Sequence, residues 1–317
     1  MATRRARIAY LVQAFKQPEQ VNLLLGQLLA DGDVYVHLDA KSVKTMAPRL
    51  LRHPRLRVVG KSLDVRWGDI SSVDCSLLMF REALASGRTY DFFVLRSGQD
   101  LVVREGFARF LADYRGRSLL SARPISRGER FSALADLRWP RFARSVYDSA
   151  HPYRMARSVL LRLWGLGLRP LANPDRLPAR FQLFHGSAWF CLAREHVSFV
   201  LRYLLANPWF HRAFQNALVP DEWFFQTLLL NSEHAAEIVN RPTLFQRWGT
   251  TRRERNHPVV LTARDIPEIE QSGEYFARKF DLRIDPEVVD YFVARSASAV
   301  ASEKRVVEGS VRMRRLT

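Results

Sequence analysis

The first third of the chain alternates short apolar runs with segments of helical spacing, and this alternation restricts the possible folds more than any other feature. The apolar runs have the length of buried strands and cover Ile8–Ala14, Val34–Leu38, Leu56–Val59 and Phe92–Leu95. The segments between them repeat apolar residues at three- and four-residue spacing over Pro18–Leu29, Ala47–Leu51 and Ile70–Ala85. Strands that alternate with helices form βαβ units, so the sequence predicts an α/β fold with a Rossmann-like, mostly parallel sheet flanked by helices.

Residues 115–180 interrupt this alternation because they are rich in arginine and proline. We interpret them as an insertion and not as a second domain. After the insertion, regular structure is predicted again over Gly186–Leu192, followed by helices over about Arg194–Leu205, from Pro220 onward, and over about Ile266–Arg278. Residues 1–295 are therefore predicted to form a single domain, and the small, polar and basic residues 296–317 a mobile tail.

Length and composition indicate a globular protein with a substantial core. Of the 317 residues, 47% are hydrophobic and 11% aromatic, which excludes the disordered and fibrous classes. Cys75 and Cys191 are the only cysteines and lie far apart in the sequence, so neither a disulfide framework nor a zinc site is indicated. No apolar stretch reaches the roughly 18 residues of a membrane span. Ile8–Val12 is interpreted as a strand and not as a signal peptide, and a cytoplasmic location is expected.

The formal net charge is +17 and is carried mostly by arginine. A surplus of this size favours anionic partners such as nucleotide phosphates or anionic lipid headgroups. A solvated basic surface without a specific partner accounts for the charge equally well. Aromatic and basic residues do not alternate as they do in a groove for single-stranded nucleic acid, so no nucleic-acid partner is predicted.

Polar residues follow two of the predicted strands at the point where each strand ends. Asp39 comes directly after Val34–Leu38, with Lys41 two residues later, and Asp100 ends the turn that follows Phe92–Leu95. Ligands of such sheets bind at the carboxyl ends of the strands. There, a carboxylate would accept hydrogen bonds from a ribose or base, and the lysine would reach a phosphate. An ordinary polar turn after each strand is the competing interpretation.

Two segments later in the chain combine aromatic residues with small or acidic ones. Gly186 and Ser187 precede Trp189, a pattern that suits a sugar, although core packing of the tryptophan is the alternative. Asp221 and Glu222 lie in the first turn of a predicted helix. Neighbouring helical residues point about 100° apart, so only one of these carboxylates is expected to face a pocket. Carboxylates in a first turn are also common for helix-dipole reasons alone.

Two adjacent cations, Arg278 and Lys279, lie at the end of the last predicted helix. Phosphate binding and a favourable interaction with the helix dipole explain them equally well. The chain has no Walker-type phosphate loop and no GxGxxG motif. Its acidic pair of DxD type, Asp31 and Asp33, precedes a strand and is expected at the amino end of the sheet, away from a metal–nucleotide site.

The chain resembles the core-2/I-branching family, which comprises β-1,6-N-acetylglucosaminyltransferases and peptide O-xylosyltransferases together with many short bacterial relatives. The resemblance lies in seven stretches that follow the family's order: IAYLVQAFKQPEQVNLLLGQL, VYVHLDAKS, VRWGDISSVDCSLL, YDFFVLRSGQDLVV, FHGSAWFCLAREHVSFVL, VPDEWFFQTLLLNS and FARKFD. They span residues 8–281 apart from the insertion. Each stretch is weak by itself, but seven in the correct order form a specific signal.

The resemblance implies a GT-A-like fold and an inverting glycosyltransferase that uses a UDP-sugar and no divalent metal. N-acetylglucosamine is favoured over xylose as the transferred sugar. The family's catalytic base falls on Glu222, which would deprotonate an acceptor hydroxyl, and its phosphate-binding lysine falls on Lys279. Together with the patterns described above, the predicted donor-binding residues are Asp39, Lys41, Trp67, Asp100, Arg255, Arg278 and Lys279. The predicted acceptor-binding residues are Gly186, Ser187, Trp189, Asp221 and Trp248.

Two departures from the family pattern affect these assignments. The family's second phosphate cation aligns with Asn256, so Arg255 or Arg253 would have to replace it. The glutamate that grips the acceptor in the mammalian branching enzymes has no acidic counterpart in Ser118–Arg123, so a glycan or glycolipid acceptor is expected without further detail. We expect a bacterial enzyme of surface-glycan synthesis, peripheral at the inner membrane face. The alternative is a non-catalytic basic protein that binds anionic lipid or polyanion on a degenerate transferase fold.

Overall fold

A computed structural model describes residues 4–145, 151–250 and 258–296. The strands are β1 (Ile8–Ala14), β2 (Asp33–Leu38), β3 (Leu56–Val58), β4 (Phe92–Ser97), β5 (Asp100–Val102), β6 (Ser118–Leu119), β7 (Arg123–Ile125), β8 (Leu183–His185), β9 (Cys191–Ala193), β10 (Ile238–Val239), β11 (Leu244–Gln246) and β12 (Phe276–Arg278). The α-helices are α1 (Pro18–Leu29), α2 (Val43–Met46), α3 (Ser71–Leu84), α4 (Phe107–Ala112), α5 (Ala133–Asp136), α6 (Pro152–Gly165), α7 (Arg194–Ala206), α8 (Pro208–Phe214), α9 (Phe224–Leu230) and α10 (Ile266–Ser272). Short 3-10 turns include Arg130–Ser132, Arg141–Ala143, Pro220–Glu222 and Ala235–Glu237, and residues 286–296 are helical.

The central sheet has seven strands in the order β10-β6-β9-β4-β1-β2-β3. Strand β1 is parallel to both β2 and β4, β2 is parallel to β3, and β10 is parallel to β6. Strand β9 runs antiparallel to β4 and β6. A three-stranded sheet, β11-β12-β5, and the β7–β8 pair complete the strands. The predicted α/β fold with a mostly parallel sheet is confirmed.

Strand β1 is covered on both faces, which explains why its sequence is almost continuously apolar. Ala9 and Leu11 pack into the apolar cluster that contains α3, whereas Tyr10 and Val12 pack into the cluster that contains α1. Because successive side chains of a strand point to opposite faces, a sheet with helices on both sides requires apolar residues at every position of a central strand.

The arginine-rich segment begins inside the central sheet. The predicted insertion, residues 115–180, includes β6, which lies between β10 and β9. The excursion from the sheet therefore starts only after Leu120. Helix α6 then packs on the 3-10 turns Arg130–Ser132 and Arg141–Ala143, around a small core that contains Trp139 and Trp164. None of the helices in the described ranges is both long enough and apolar enough to cross a membrane.

The prediction of a final helix over Ile266–Arg278 is wrong in its second half. Helix α10 ends at Ser272 because Gly273 takes the left-handed conformation, with φ 71°, a common way for a helix to end. Phe276–Arg278 forms β12, which pairs with β11 and β5. Arg278 is therefore the last residue of a strand and Lys279 follows it, so the helix-dipole explanation for them no longer applies.

Two further differences concern segment ends. The helix predicted from Pro220 is a 3-10 turn as far as Glu222, and α9 begins only at Phe224. Residues 286–296 form a helix that the sequence patterns did not indicate. The predicted mobile tail beyond residue 296 lies outside the described residues.

Candidate active site

The segments that follow β1, β2, β4 and β12 are hydrogen-bonded to one another at one edge of the molecule. The backbone N–H of Asp39 donates to the carbonyl of the last β1 residue at 3.0 Å, and that of Gly98 donates to the Gln13 carbonyl at 2.9 Å. The N–H of Phe280, just past β12, donates to the Gln99 carbonyl at 2.9 Å. The carboxyl ends of three central parallel strands and the end of β12 therefore meet, as a nucleotide site in this type of fold requires.

Asp39 is buried, and its carboxylate is already held by protein donors. It accepts hydrogen bonds from the backbone N–H and the ammonium of Lys41, at 2.8 and 2.9 Å, and from the N–H of Val65 at 3.1 Å. The Lys41 ammonium also donates to Asp64 and to the carbonyl of Val65. An ammonium has three N–H groups, so in this structure all donors of Lys41 are used to fix the turn around Asp39.

Asp100 and Arg278 form a buried ion pair, with 3.5 Å between the guanidinium and the carboxylate. Asp100 also accepts the backbone N–H of Ser97 at 3.1 Å, and the Arg278 guanidinium lies 4.3 Å above the ring of Trp189. Burial lowers the pKa of Arg278 despite the favourable charge of Asp100. Because Arg278 is stacked on Trp189 and paired with Asp100, it fixes the end of β12, and Lys279 is the next residue along the chain.

Lys279 lies close to a second lysine, Lys16, in the segment that follows β1. Desolvation lowers the pKa of Lys279, and the positive charges of Lys16 and Arg278 lower it further. The nearby carboxylate of Asp281 is occupied by Gln17, at 2.6 Å, and by Arg283. Half-buried cations that repel one another create a local demand for an anion. Their position at the carboxyl edge of the sheet makes a phosphate the natural ligand.

A cavity of about 730 Å³ lies beside the end of β8 and the Pro220–Glu222 turn. Its aromatic walls include Trp67 and Trp248, whose side chains are 45% and 46% exposed. Large aromatic rings left open to solvent in a concave site are suited to the apolar faces of a sugar. The remaining polar and charged lining residues are Ser121, Arg123, Arg154, Arg157, Ser158, His185, Ser187, Glu222, Asn240 and Gln246.

Glu222 brings a carboxylate to this cavity from the end of the 3-10 turn. Its Oε2 lies 2.9 Å from Nε2 of His185, and the Glu222 side chain remains 33% exposed. The Glu222 carbonyl accepts the N–H of Gly186 at 2.9 Å. A Cβ at Gly186 would lie 1.7 Å from the Ser121 carbonyl oxygen, so glycine is required where these backbones meet. His185 and Gly186 thus hold Glu222 in place by side chain and backbone.

Asp221 is not among the residues that line the cavity. Its carboxyl group interacts with the Ser72 hydroxyl and with the charge of Arg278. The adjacent side chains of Asp221 and Glu222 therefore lie in different surroundings, because neighbouring residues of a helical turn point in different directions. Glu222 faces the open cavity, and Asp221 faces the interior between the cavity and β12.

The buried carboxyl group of Asp221 should make the free energy of unfolding depend on pH. Desolvation, followed by the charge of Glu222, raises the pKa of Asp221 to about 7. The folded state therefore retains a proton that the unfolded chain releases, and the contribution of Asp221 to stability falls as pH rises from about 4 towards 7. The variant Asp221→Asn has no carboxyl group at this position, so it does not lose this stability as pH rises. The melting temperature of the variant relative to the wild type should increase between pH 5 and 8, as measured by differential scanning fluorimetry.

A matched control is Asp113→Asn, which changes an exposed aspartate. Its melting temperature relative to the wild type should be independent of pH over the same range. If the difference in melting temperature between Asp221→Asn and the wild type did not change with pH, the raised pKa of Asp221 would be contradicted.

The predicted site residues thus fall into three groups. Trp67, Gly186, Ser187, Glu222 and Trp248 line the cavity. Trp67, predicted on the donor side, belongs to this group because the loop behind it is joined to the Glu222 turn. Asp39, Lys41 and Lys279 lie at the strand ends. Trp189, Asp100 and Asp221 form the third group, around the Arg278 guanidinium. Arg255 and Arg253 lie outside the described residues.

Two residues of this region were not predicted. His185 directly precedes Gly186, yet a single histidine at a strand end carries no signal for a carboxylate partner. Lys16 had a signal, because it follows β1 in the same way that Asp39 follows β2.

One group of potential metal ligands occurs in the ranges that the structure describes. His196, His234 and Glu237 place ligand atoms within 4.8 Å of one another. None of the three lines the cavity. Glu237 accepts hydrogen bonds from both histidine rings, at 2.7 and 3.0 Å, and the other nitrogen of His196 contacts the Ser118 hydroxyl at 2.6 Å. These contacts satisfy the group internally and join α7 to the turn before β10.

Comparison with known proteins identifies the family of this fold. The family model of the Core-2/I-Branching enzyme matches residues 8–111 and 135–272. The chain belongs to this family. It is accordingly a GT-A-like glycosyltransferase that takes a nucleotide-sugar donor and a glycan acceptor. The unmatched residues 112–134 supply Ser121, Arg123 and Phe131 to the cavity wall, so this part of the wall lies outside the segments that the family model matches.

Curated relatives are similar at low identity over most of the chain. A zebrafish β-1,3-galactosyl-O-glycosyl-glycoprotein β-1,6-N-acetylglucosaminyltransferase 4 is 21% identical over 309 residues, covering 89% of this chain and 68% of the relative. The Drosophila melanogaster xylosyltransferase oxt is 25% identical over 320 residues, covering 90% of this chain and 33% of the relative. Mouse xylosyltransferase 2 is 25% identical over 278 residues, covering 81% and 29%. The chain thus spans about a third of these xylosyltransferases.

Proposed function

We propose that this glycosyltransferase moves N-acetylglucosamine, or alternatively xylose, from a UDP-sugar to an acceptor hydroxyl with inversion and without a divalent metal. The observation that carries the proposal is the Glu222 carboxylate, which faces a cavity walled by Trp67 and Trp248 and is held by His185. A carboxylate oriented by a neighbour in an open, aromatic-lined cavity is suited to act as a general base on a sugar hydroxyl.

The reaction is a single displacement at the anomeric carbon. Glu222 takes the proton of the acceptor hydroxyl while the hydroxyl oxygen forms a bond to C1 of the donor sugar. The bond between C1 and the β-phosphate oxygen breaks, and UDP leaves with the electron pair. Because the oxygen attacks from the side opposite the leaving group, the configuration at C1 is inverted. In this proposal the base, Glu222, and the phosphate-binding Lys279 must therefore lie on opposite sides of the donor sugar.

The negative charge that develops on the leaving UDP is neutralised in this proposal by Lys16 and Lys279. Cations placed in advance at the position of developing charge stabilise a transition state without reorganisation. The carboxylates at the same edge that might otherwise hold a metal are engaged by protein cations, Asp39 by Lys41 and Asp100 by Arg278. Both observations favour a site in which side chains supply the positive charge.

N-acetylglucosamine is the preferred donor sugar in this proposal and xylose the alternative, since relatives that transfer each of these sugars are similar to the chain. The acceptor is a glycan or glycolipid of surface-glycan synthesis in the cytoplasm. A thermal-shift screen of UDP-GlcNAc, UDP-xylose and other nucleotide sugars tests the donor, since a ligand at 100 times its Kd adds about 2.7 kcal/mol of stability. Proton NMR of the product then reports the anomeric configuration. Retention of configuration, or a stabilising donor that carries no UDP, would contradict the proposal.

His185 should act as a positioning residue for the base. Replacing it with glutamine keeps a hydrogen-bond donor near Glu222 but removes the imidazole, and we expect kcat to fall by about tenfold. The KM for the donor should stay within about twofold, because His185 lies on the acceptor side. An equal loss of kcat in His185→Gln and His185→Ala, or a KM for the donor that rises as much as kcat falls, would indicate a packing role only.

A further inference from the structure

Helix α6 lines the cavity with one face and presents an apolar face to solvent. Arg154, Arg157, Ser158 and Leu161 follow the three- and four-residue repeat of a helix and line the cavity. Met155, Val159 and, just after the helix end, Leu166 lie on another side and are 60%, 52% and 77% exposed. Trp164 of the same helix is buried in the small core, so α6 packs apolar residues inward and also leaves apolar residues open to solvent, where an ordinary surface helix is polar.

The exposed apolar face continues into the flanking segments. The ring of Phe142 lies 4.7 Å from that of Tyr153 at the start of α6, and Leu168 and Leu171 follow its end with about half of their surface exposed. Of the 15 large apolar side chains exposed in the described ranges, seven lie between residues 142 and 171. We call these seven residues the α6 surface: Phe142, Tyr153, Met155, Val159, Leu166, Leu168 and Leu171. A cluster of exposed apolar side chains of this kind marks an interaction site.

The charge around the α6 surface indicates what covers it. Residues 138–171 contain seven arginines and a single acid, Asp148. Arg138, Arg141 and Arg162 are exposed. Exposed apolar side chains among arginines, with almost no acids, match the interface of an anionic bilayer, in which acyl chains lie beneath negative headgroups. A second copy of this chain would instead bring arginines against arginines.

We propose that the α6 surface docks on an anionic lipid bilayer and holds the cavity next to the headgroups. The helix is about 10 Å across with its side chains, and the cavity lies on its other side. Given the proposed transferase function, an acceptor sugar attached to a lipid headgroup would reach Glu222 by spanning about this distance. Docking on the bilayer depends on the α6 surface and the arginines around it, and it does not require that the protein transfers a sugar.

Co-sedimentation with vesicles tests the proposal directly. The full chain should bind vesicles of phosphatidylglycerol and phosphatidylcholine, mixed one to three, and not vesicles of phosphatidylcholine alone. Binding should weaken at least about tenfold between low salt and about 0.5 M salt, because headgroup attraction is screened. The triple variant Met155→Ser/Val159→Ser/Leu166→Ser should lose at least about tenfold in partitioning at low salt, since three side chains no longer gain from leaving water.

The matched control is Leu205→Ser/Ile284→Ser, which changes apolar residues that are 87% and 60% exposed in other elements. It should bind vesicles like the wild type. Both variants should keep wild-type melting temperatures and wild-type transfer to a soluble acceptor, so failure of docking and failure of the transferase proposal are distinguishable. Absence of binding to the anionic vesicles would overturn the docking proposal. So would equal losses in both variants, or a solution dimer that dissociates in the triple variant.

Discussion

Replacing Glu222 with glutamine is expected to lower kcat by about a thousandfold, the range in which loss of a general base falls. Glutamine keeps the size of the side chain and a hydrogen-bond partner for His185, 2.9 Å away, but it cannot accept the proton of the acceptor hydroxyl. UDP affinity should stay within about twofold, because the phosphate cations lie at a different edge of the site. Transfer is measured by UDP release with saturating donor and acceptor, and UDP binding by calorimetry.

Glu233→Gln is the matched control because it makes the same chemical change at an exposed glutamate, 80% accessible, outside the cavity. Its kcat should equal that of the wild type. If Glu222→Gln retained more than about a tenth of wild-type kcat, Glu222 would not be the base. The alternative, a non-catalytic binding protein, predicts that replacing Glu222 changes none of its measured properties. Loss of UDP binding in Glu222→Gln would indicate a folding defect instead.

Replacing Lys279 with alanine is expected to weaken UDP binding by about 10- to 100-fold, the equivalent of one hydrogen bond to a charged group. Lys16→Ala should act in the same direction. The two effects should be less than additive in the double variant, because removal of Lys16 relieves the repulsion that lowers the pKa of Lys279. UDP affinity is measured by calorimetry at low and high salt.

The control for the lysine variants is Lys61→Ala, an exposed lysine outside the pair, which should leave UDP affinity unchanged. The same titrations with EDTA and with manganese test the proposed source of positive charge. Equal UDP affinities in EDTA and in manganese would agree with a phosphate site whose positive charge comes from side chains. Affinity that requires manganese, or that survives removal of both Lys16 and Lys279, would contradict the proposed phosphate site.

The positions of the strand-end residues could be predicted because they depend on local sequence. Asp39 follows an apolar run in a βαβ pattern, and parallel strands bring such ends to one edge of a sheet. Asp31 and Asp33 likewise lie at the amino end of β2, where their carboxylates bind protein donors that include Arg88 and Tyr90.

Contacts between distant segments could not be predicted in the same way. Lys279 was expected at the end of a helix but follows β12, because Gly273 ends α10 and the next residues pair with β5 and β11. The side chain of Lys41 was expected to reach a phosphate, yet Asp64 and Val65, more than 20 residues away, take up its donors. His185 gained its role only from the turn that brings Glu222 to it.

The amino-acid sequence by itself determined the α/β fold, the edge of the sheet at which the site lies, and the residue types available there. Hydrophobic periodicity and turn residues act over a few positions, so their consequences can be read locally. The tertiary structure alone decided which charges meet. It paired Lys16 with Lys279 and His185 with Glu222, and it turned the apolar face of α6 outward. These outcomes depend on long-range packing and desolvation, which no single segment encodes.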